Sequence, residues 1–357
     1  MTTMTIIHQT SSRKLDHIRI CSQDEVEQGD PGFQGVSLIH NALPECDMGK
    51  IDTGVRFLGH LFGSPLFIAA MTGGHPETTV INEQLARAAE RFNLGMGVGS
   101  QRAALENPDL EGTFGVVREM APSAFLCANI GVVQLRDHGI EWADRAVEMI
   151  RGDALAVHLN FLQEAIQPEG DHDARGCMAA LASLCEEASY PVIVKETGSG
   201  IAGETARRIA GAGAAAIDTG GRGGTSWAAI EAIRADESSR DQDRHLVSLG
   251  EEFLSWGIPT VTSLCEVVPA GLPVIATGGV RTGIDMAKAV ALGADLAGMA
   301  LPLLNPALKG EESLSNTIER LLHQLKVTMF LTGSPDIAAL KRTRVIISGT
   351  NGALGVH

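Results

Sequence analysis

Eight short apolar runs recur along the chain, at residues 66–71, 94–98, 124–130, 154–160, 191–196, 214–218, 272–277 and 295–301. Each ends on a glycine or a polar residue and is followed by an alanine-rich stretch with helical spacing. Most are apolar without strict alternation, as parallel strands covered on both faces should be. Eight such strands with helix-length connections predict a (β/α)8 barrel. A doubly wound open sheet is the competing arrangement, but it calls for fewer strands and one dominant glycine-rich fingerprint. Two segments fall outside the repeat. Residues 1–64 form an N-terminal extension, and residues 235–269 form an insertion between strands six and seven that is longer than one helix needs. Its charged part, 236–245, reads as a solvated excursion, with an active-site lid as the alternative. No linker or low-complexity tract interrupts the pattern, so residues 1–357 are expected to form a single domain.

Composition narrows the function. At 357 residues and 44% apolar content, the chain suffices for one large core plus the extension. The 41 glycines against a single tyrosine suit turns that approach a ligand closely. A formal net charge of −15 argues against a nucleic-acid or anionic-membrane surface, because either needs a basic face. An anionic small molecule would need a local basic pocket instead. The six cysteines are scattered with no C-x-x-C pair, which points to reduced thiols in a cytoplasmic protein. Residues 1–12 hold no apolar run of the secretory kind. The most apolar stretch, 287–304, is broken by Lys288, Gly293, Asp295 and Pro302, so a buried helix and strand explain it better than a membrane span.

In a barrel the chemistry sits at the C-terminal ends of the strands. Gly278-Gly279 follows strand seven, beside Met299-Ala300-Leu301 after strand eight. Two such turns are the usual barrel site for a phosphate group, held by backbone N–H groups and a helix dipole. A plain tight turn is the alternative. Lys195 ends strand five and has three readings: a Schiff-base nucleophile, a cation facing an electron-rich ring, or a surface residue. Glu196 beside it gives no support to a neutral amine, whereas charge near a flavin ring tunes its electronics. Ser100, Asn129 and Thr225 would then bond the ring and ribityl edge; singly, each is an ordinary strand-end polar group. On strand four, His158 and Asn160 alternate, so both can face the barrel mouth, and H-x-N is not a zinc pattern.

With these ends assembled, the chain resembles the type 2 isopentenyl-diphosphate delta-isomerases. The resemblance rests on Arg13-Lys14-Leu15-Asp16-His17-Ile18, Ala70-Met71-Thr72-Gly73-Gly74, Gly97-Val98-Gly99-Ser100-Gln101-Arg102 and Asn129-Ile130-Gly131. It continues through His158-Leu159-Asn160-Phe161-Leu162-Gln163-Glu164, Lys195-Glu196, Gly223-Gly224-Thr225-Ser226-Trp227, Gly278-Gly279-Val280-Arg281-Thr282-Gly283 and Ala300-Leu301. It implies FMN lined by Ala70, Met71, Thr72, Ser100, Asn129, Lys195 and Thr225, its phosphate held by Gly278, Gly279, Val280, Arg281, Ala300 and Leu301. The substrate diphosphate would be clamped by Arg13, Lys14, Ser100, Gln101, Arg102, His158 and Asn160. Glu164 resembles a Mg²⁺ ligand; by itself it reads as a dipole-compensating surface residue.

The implied reaction moves the double bond of isopentenyl diphosphate to give dimethylallyl diphosphate, with reduced FMN as the acid–base. Gln163 would sit near the double bond and orient it or relay a proton; a hydrogen bond within its own loop is the alternative. Glu231, one helical turn after Trp227, is a secondary proton-relay candidate or a solvent-facing helix residue. NADPH or NADH is implied as the activator that reduces FMN, and a homo-tetramer or octamer as the assembly. Two other readings stand beside this one. An FMN-dependent oxidoreductase of the hydroxy-acid oxidase or dihydroorotate dehydrogenase kind would use the same barrel. A flavin-holding barrel without turnover would leave Arg13-Lys14 and Glu164 without a task.

Overall fold

The computed structural model describes residues 3–237 and 244–348, without the side chains of 3–12. The middle of the charged segment read as an excursion or lid, 238–243, lies outside the described residues. Helix α1 (Thr3–Gln23) opens the chain. Eight parallel strands then close into a barrel: β1 (Leu66–Ile68), β2 (Gly95–Gly97), β3 (Leu126–Gly131), β4 (Ala154–Leu159), β5 (Val192–Glu196), β6 (Ala216–Asp218), β7 (Val274–Ala276) and β8 (Leu296–Met299). β8 pairs back onto β1, Ala297 opposite Leu66, and this closure excludes the open sheet. All eight strands lie on the apolar runs. All six residues of β3 are buried, as expected of a strand between barrel interior and helices.

The strands are connected by helices that wrap the barrel. α2 (Thr79–Phe92) shows why these segments coil: Ile81, Leu85, Ala88 and Ala89 form one buried stripe, and Asn93 stops the helix in the left-handed region at φ 50°. After β2 come α3 (Arg102–Glu106) and α4 (Gly112–Met120), after β3 α5 (Val132–Ile150), and after β4 α6 (Phe161–Ile166) and α7 (Cys177–Glu187). α8 (Gly203–Gly211) follows β5, and α9 (Trp227–Glu237) follows β6. The expected insertion is folded beyond the charged stretch. It contains α10 (Arg244–Glu252), which packs on α9, and α11 (Thr260–Val267), the crossover helix into β7. α12 (Gly283–Ala291) starts after the Gly278-Gly279 turn with a capping box between Thr282 and Asp285, and α13 (Leu301–Lys309) starts directly after β8.

The N-terminal end of the barrel is plugged. A hairpin of Val55–Phe57 and His60–Phe62 brings Phe62 edge-on to Phe125, with ring centres 5.5 Å apart. Gly95 makes room for it, since a Cβ there would lie 2.5 Å from the Phe62 ring. The opposite end is covered by the extension. Ile20 of α1 forms a buried cluster with Val26 and Ile230, and the following chain is tied to the loop after β6 by Gln28 N–H to Gly224 O and Ser226 N–H to Val26 O. Among the described residues no helix is long and apolar enough to cross a membrane, and none of the six cysteines is paired.

The plug gives a stability prediction. Phe62→Ala should cost about 3–5 kcal/mol, read as a lower urea midpoint, because the cavity it leaves is walled by rings that cannot collapse inward.

Candidate active site

The ends of all eight strands open on one cavity, roofed by α1. On one side lies a glycine cradle. Gly278 and Gly279 have φ of 102° and 69°, which L side chains rarely adopt. A Cβ on Gly279 would lie 2.4 Å from the Gly223 carbonyl, and one on Gly224 2.6 Å from the Gly279 nitrogen. The turns after β6 and β7 therefore interlock backbone against backbone, and only glycine permits it. Beside them α13 begins after Ala300 with no side-chain cap; Pro302 has no N–H and the Leu303 N–H bonds the Ala300 carbonyl, which leaves the Leu301 N–H as the donor of that end. Arg281 projects from the same turn. Burial lowers its pKa to about 10, and its ion-pair partner is Glu27.

Lys195 faces the same space from β5, its Nζ donating to the Glu196 carbonyl at 2.8 Å. Its neighbour on β6 is Asp218, whose carboxyl burial pushes up in pKa and Lys195 pulls down. Glu196 turns the other way. Its Oε2 accepts the N–H groups of Thr197 and Gly198 at 2.7 and 2.6 Å and so shapes the loop that continues the cavity wall.

Across the cavity sits a cationic cluster. Arg13 and Lys14 enter from α1 and Arg102 from the loop after β2. Arg13 is held by Glu169 at 3.1 Å and Arg102 by Glu106 at 2.7 Å. Lys14 has no carboxylate partner among the described residues. Burial, then Arg13 and Arg102, lower its pKa to about 7. The Nε of Arg13 is also buried with no partner. Positive charge without an internal counter-ion defines an anion site.

Between cradle and cluster lies a lattice of amides. Asn160 Nδ2 donates to Glu164 Oε1 at 2.9 Å, and Gln167 Nε2 and the Asp171 N–H donate to Oε2 at 2.7 and 2.8 Å. Glu164 is thus buried, lines the cavity and is not the surface helix residue its sequence position suggests. Gln163 donates to Glu231 Oε1 at 2.9 Å, and His17 Nε2 lies 3.1 Å from the same oxygen. Glu231 is wholly buried, so the solvent-facing alternative falls. Burial would raise its pKa, but His17, Arg234 and Gln163 outweigh that and hold it near 2. Burial, opposed by Glu231, lowers the pKa of His17, whose ring lies edge-on to Trp227 at 5.0 Å.

Four candidates do not line the cavity. Gln101 is fully buried with its amide spent on the Ala146 carbonyl and the Asn129 N–H, each at 2.8 Å, so its side chain is no ligand contact. Val280 is packed in the core, which leaves only its backbone to face a ligand. Glu231 reaches the cavity only through Gln163 and His17. Thr72 is buried behind Met71, and its Oγ1 has no partner. The other candidates, Ala70, Met71, Ser100, Asn129, Thr225, His158, Asn160 and Leu301 among them, all face the shared space.

Comparison with known proteins reads this site. A family model described as FMN-dependent dehydrogenase matches residues 141–347. An isopentenyl-diphosphate delta-isomerase of Methanoregula boonei is 63% identical over 95% of this chain and 94% of its own. One from Methanosarcina barkeri is 49% identical over 96% and 94%. The chain belongs to the isopentenyl-diphosphate delta-isomerase family. It is an isomerase on an FMN-type barrel. A mandelate oxidase structure carrying an FMN adduct superposes with a TM-score of 0.63 at 19% identity, covering 93% of this chain and 92% of that one, a likeness of fold alone.

The cavity suits the flavin of that family on its own terms. The glycine turns bring backbone within reach of a phosphate where no Cβ would fit, and Arg281 lines the same end of the cavity. Sequence reasoning missed Asp218, Thr277, Gln134 and Gln167, all lining the cavity, and Glu169, which pairs with both Arg13 of α1 and Arg234 of α9. None had a motif signal. Asp218 and Thr277 were visible as polar strand ends, whereas Gln134 and Gln167 are ordinary helix or loop residues until the fold turns them inward.

The electrostatics predict a pH effect. Lys14→Gln should weaken binding of inorganic pyrophosphate at least about tenfold, ~1.4 kcal/mol. Affinity of the unmutated chain should fall as pH rises above about 7, because an ammonium already lost must regain its proton for binding. Calorimetric titration should show that slope become shallower in the variant.

Proposed function

We propose that the chain interconverts isopentenyl diphosphate and dimethylallyl diphosphate, with FMN in the glycine cradle and the diphosphate on the cationic cluster. The observation that carries this is the pairing of two candidate anion sites in one cavity: the glycine turn and Arg281 at one end, Arg13, Lys14 and Arg102 at the other. A bound flavin phosphate and a substrate diphosphate supply the charge that both ends lack. A half-buried Lys14 with no carboxylate partner among the described residues, in a chain of net charge −15, supports this reading.

The reaction adds a proton at one end of a double bond and removes one from the carbon beside it, with no net redox. Reduced FMN, when bound, supplies an electron-rich ring that can exchange a proton and steady a developing tertiary cation. The chain's own residues do the rest. Arg13 and Lys14 hold the diphosphate, and α1 excludes water from the mouth. Gln163 is fixed by Glu231 on one side and by Asn160, which donates to its Oε1 at 3.2 Å, so it presents a set orientation to the alkene. Any proton that Glu231 takes must pass through Gln163 or His17.

Glu164 would hold Mg²⁺. Its two oxygens already accept three donors, which leaves lone-pair capacity on Oε1 for one metal bond. Among the described residues no cluster of three or more His, Cys, Asp or Glu could hold a metal. One carboxylate, waters and diphosphate oxygens are a normal Mg²⁺ shell, so this set fits. NADPH or NADH is the proposed reductant of the flavin, needed to activate the enzyme and not consumed by turnover.

Purified protein with FMN, Mg²⁺ and trace NADPH should equilibrate the two C5 diphosphates, with many turnovers per NADPH oxidised. One NADPH lost per product would instead make the chain an oxidoreductase. Glu164→Gln and Gln163→Ala should each lower kcat/KM by about 10²-fold or more, ~2.7 kcal/mol, with the flavin spectrum kept. Lys195→Ala should alter flavin binding itself; an unchanged flavin spectrum and full activity would remove Lys195 from the cofactor site.

A further inference from the structure

We propose that Gln101 and Asn129 are positioning residues that hold His158 in its Nδ1–H tautomer, so that its bare Nε2 binds a terminal phosphate oxygen through one shared proton. The argument is one of donors and acceptors. Asn129 lies between the Val98 carbonyl, 2.9 Å from its Nδ2, and His158 Nδ1, 2.8 Å from its Oδ1. A carbonyl accepts only, so the Asn129 amide nitrogen must face Val98 and its oxygen must face the imidazole. Nδ1 therefore carries the hydrogen, and Nε2 does not.

Gln101 makes this orientation rigid. Its Nε2 donates to the Ala146 carbonyl and its Oε1 accepts the Asn129 N–H, while its own N–H donates to the Asn129 carbonyl at 2.9 Å. The same logic fixes the Gln101 amide, so neither side chain can flip without stranding a buried group.

The charged groups that face His158 are Lys195, its register neighbour on β5, and Lys14 on α1; from α5 comes only the neutral Gln134 amide, beside Gly131. Burial and the two lysines hold the ring neutral, with a pKa near 3. A bare Nε2 repels a fully deprotonated phosphate oxygen, lone pair against lone pair. The contact becomes attractive when one proton lies between them, brought by a monoprotonated diphosphate or taken from solvent. This rests on the diphosphate reading above and adds the proton inventory of that end of the site.

The test uses FMN-loaded protein labelled with ¹⁵N-histidine, His158→Gln assigning the signal, and inorganic pyrophosphate as probe. Near neutral pH the free protein should show Nδ1 protonated and Nε2 bare, and pyrophosphate should move Nε2 to the protonated range. Asn129→Asp, which keeps the shape and adds a carboxylate at Nδ1, should raise the pH of Nε2 protonation by about one unit or more. A free protein with Nε2–H would overturn the tautomer assignment. Pyrophosphate bound with Nε2 still bare would overturn the shared proton and leave the diphosphate reading standing. Pyrophosphate that fails to bind would overturn both.

Discussion

A half-buried lysine with no carboxylate beside it is the interaction on which this molecule turns. Removing a cation from water is costly, and a protein usually offsets that cost with an acid. Lys14 has none among the described residues, although the chain carries a formal charge of −15. The acids are elsewhere: Glu169 and Glu106 hold Arg13 and Arg102, and Glu231 holds Arg234. Packing keeps the arrangement in place. The Ile20, Val26 and Ile230 cluster anchors α1, and His17 on Glu231 ties the helix to α9 one turn from Lys14. The resulting positive potential is focused in one walled cavity.

The rest of the site is built mainly from neutral groups. Asn129, Asn160, Gln101, Gln163 and Gln167 each offer a donor and an acceptor, so they can be buried in series without adding charge. Such a lattice has direction, because every amide must give its N–H to a carbonyl or carboxylate. That direction ends at the two groups that would meet substrate, the Gln163 amide and the His158 ring. The barrel supplies the rigidity: short strands buried on both faces, glycine turns locked backbone to backbone, and an aromatic plug at the far end.

The same scaffold accounts for both the likeness and the distance to FMN oxidases. The likeness to the mandelate oxidase structure, at 19% identity, is one of the barrel fold. A neutral His158 tied to Asn129 and an α1 helix bearing two cations suit a diphosphate and a proton transfer.

The sequence alone determined the barrel, because a parallel strand covered on both faces shows its lack of alternation within a few residues. It also offered Gly278-Gly279 as a phosphate turn, with a plain tight turn as the alternative, whereas Arg13-Lys14 entered only through the family resemblance. Only the tertiary structure decided what each polar side chain faces. Gln101 stands one residue from Ser100 and Arg102, yet it points into the gap between β3 and α5, while Glu231, read as a helix-surface acid, is wholly buried under α1. A hydrogen bond spanning 28 residues, such as Gln101 to Asn129, or 214, as His17 to Glu231, leaves no trace in local spacing. The register of strands and the docking of α1 create it, and with it the protonation states on which the chemistry depends.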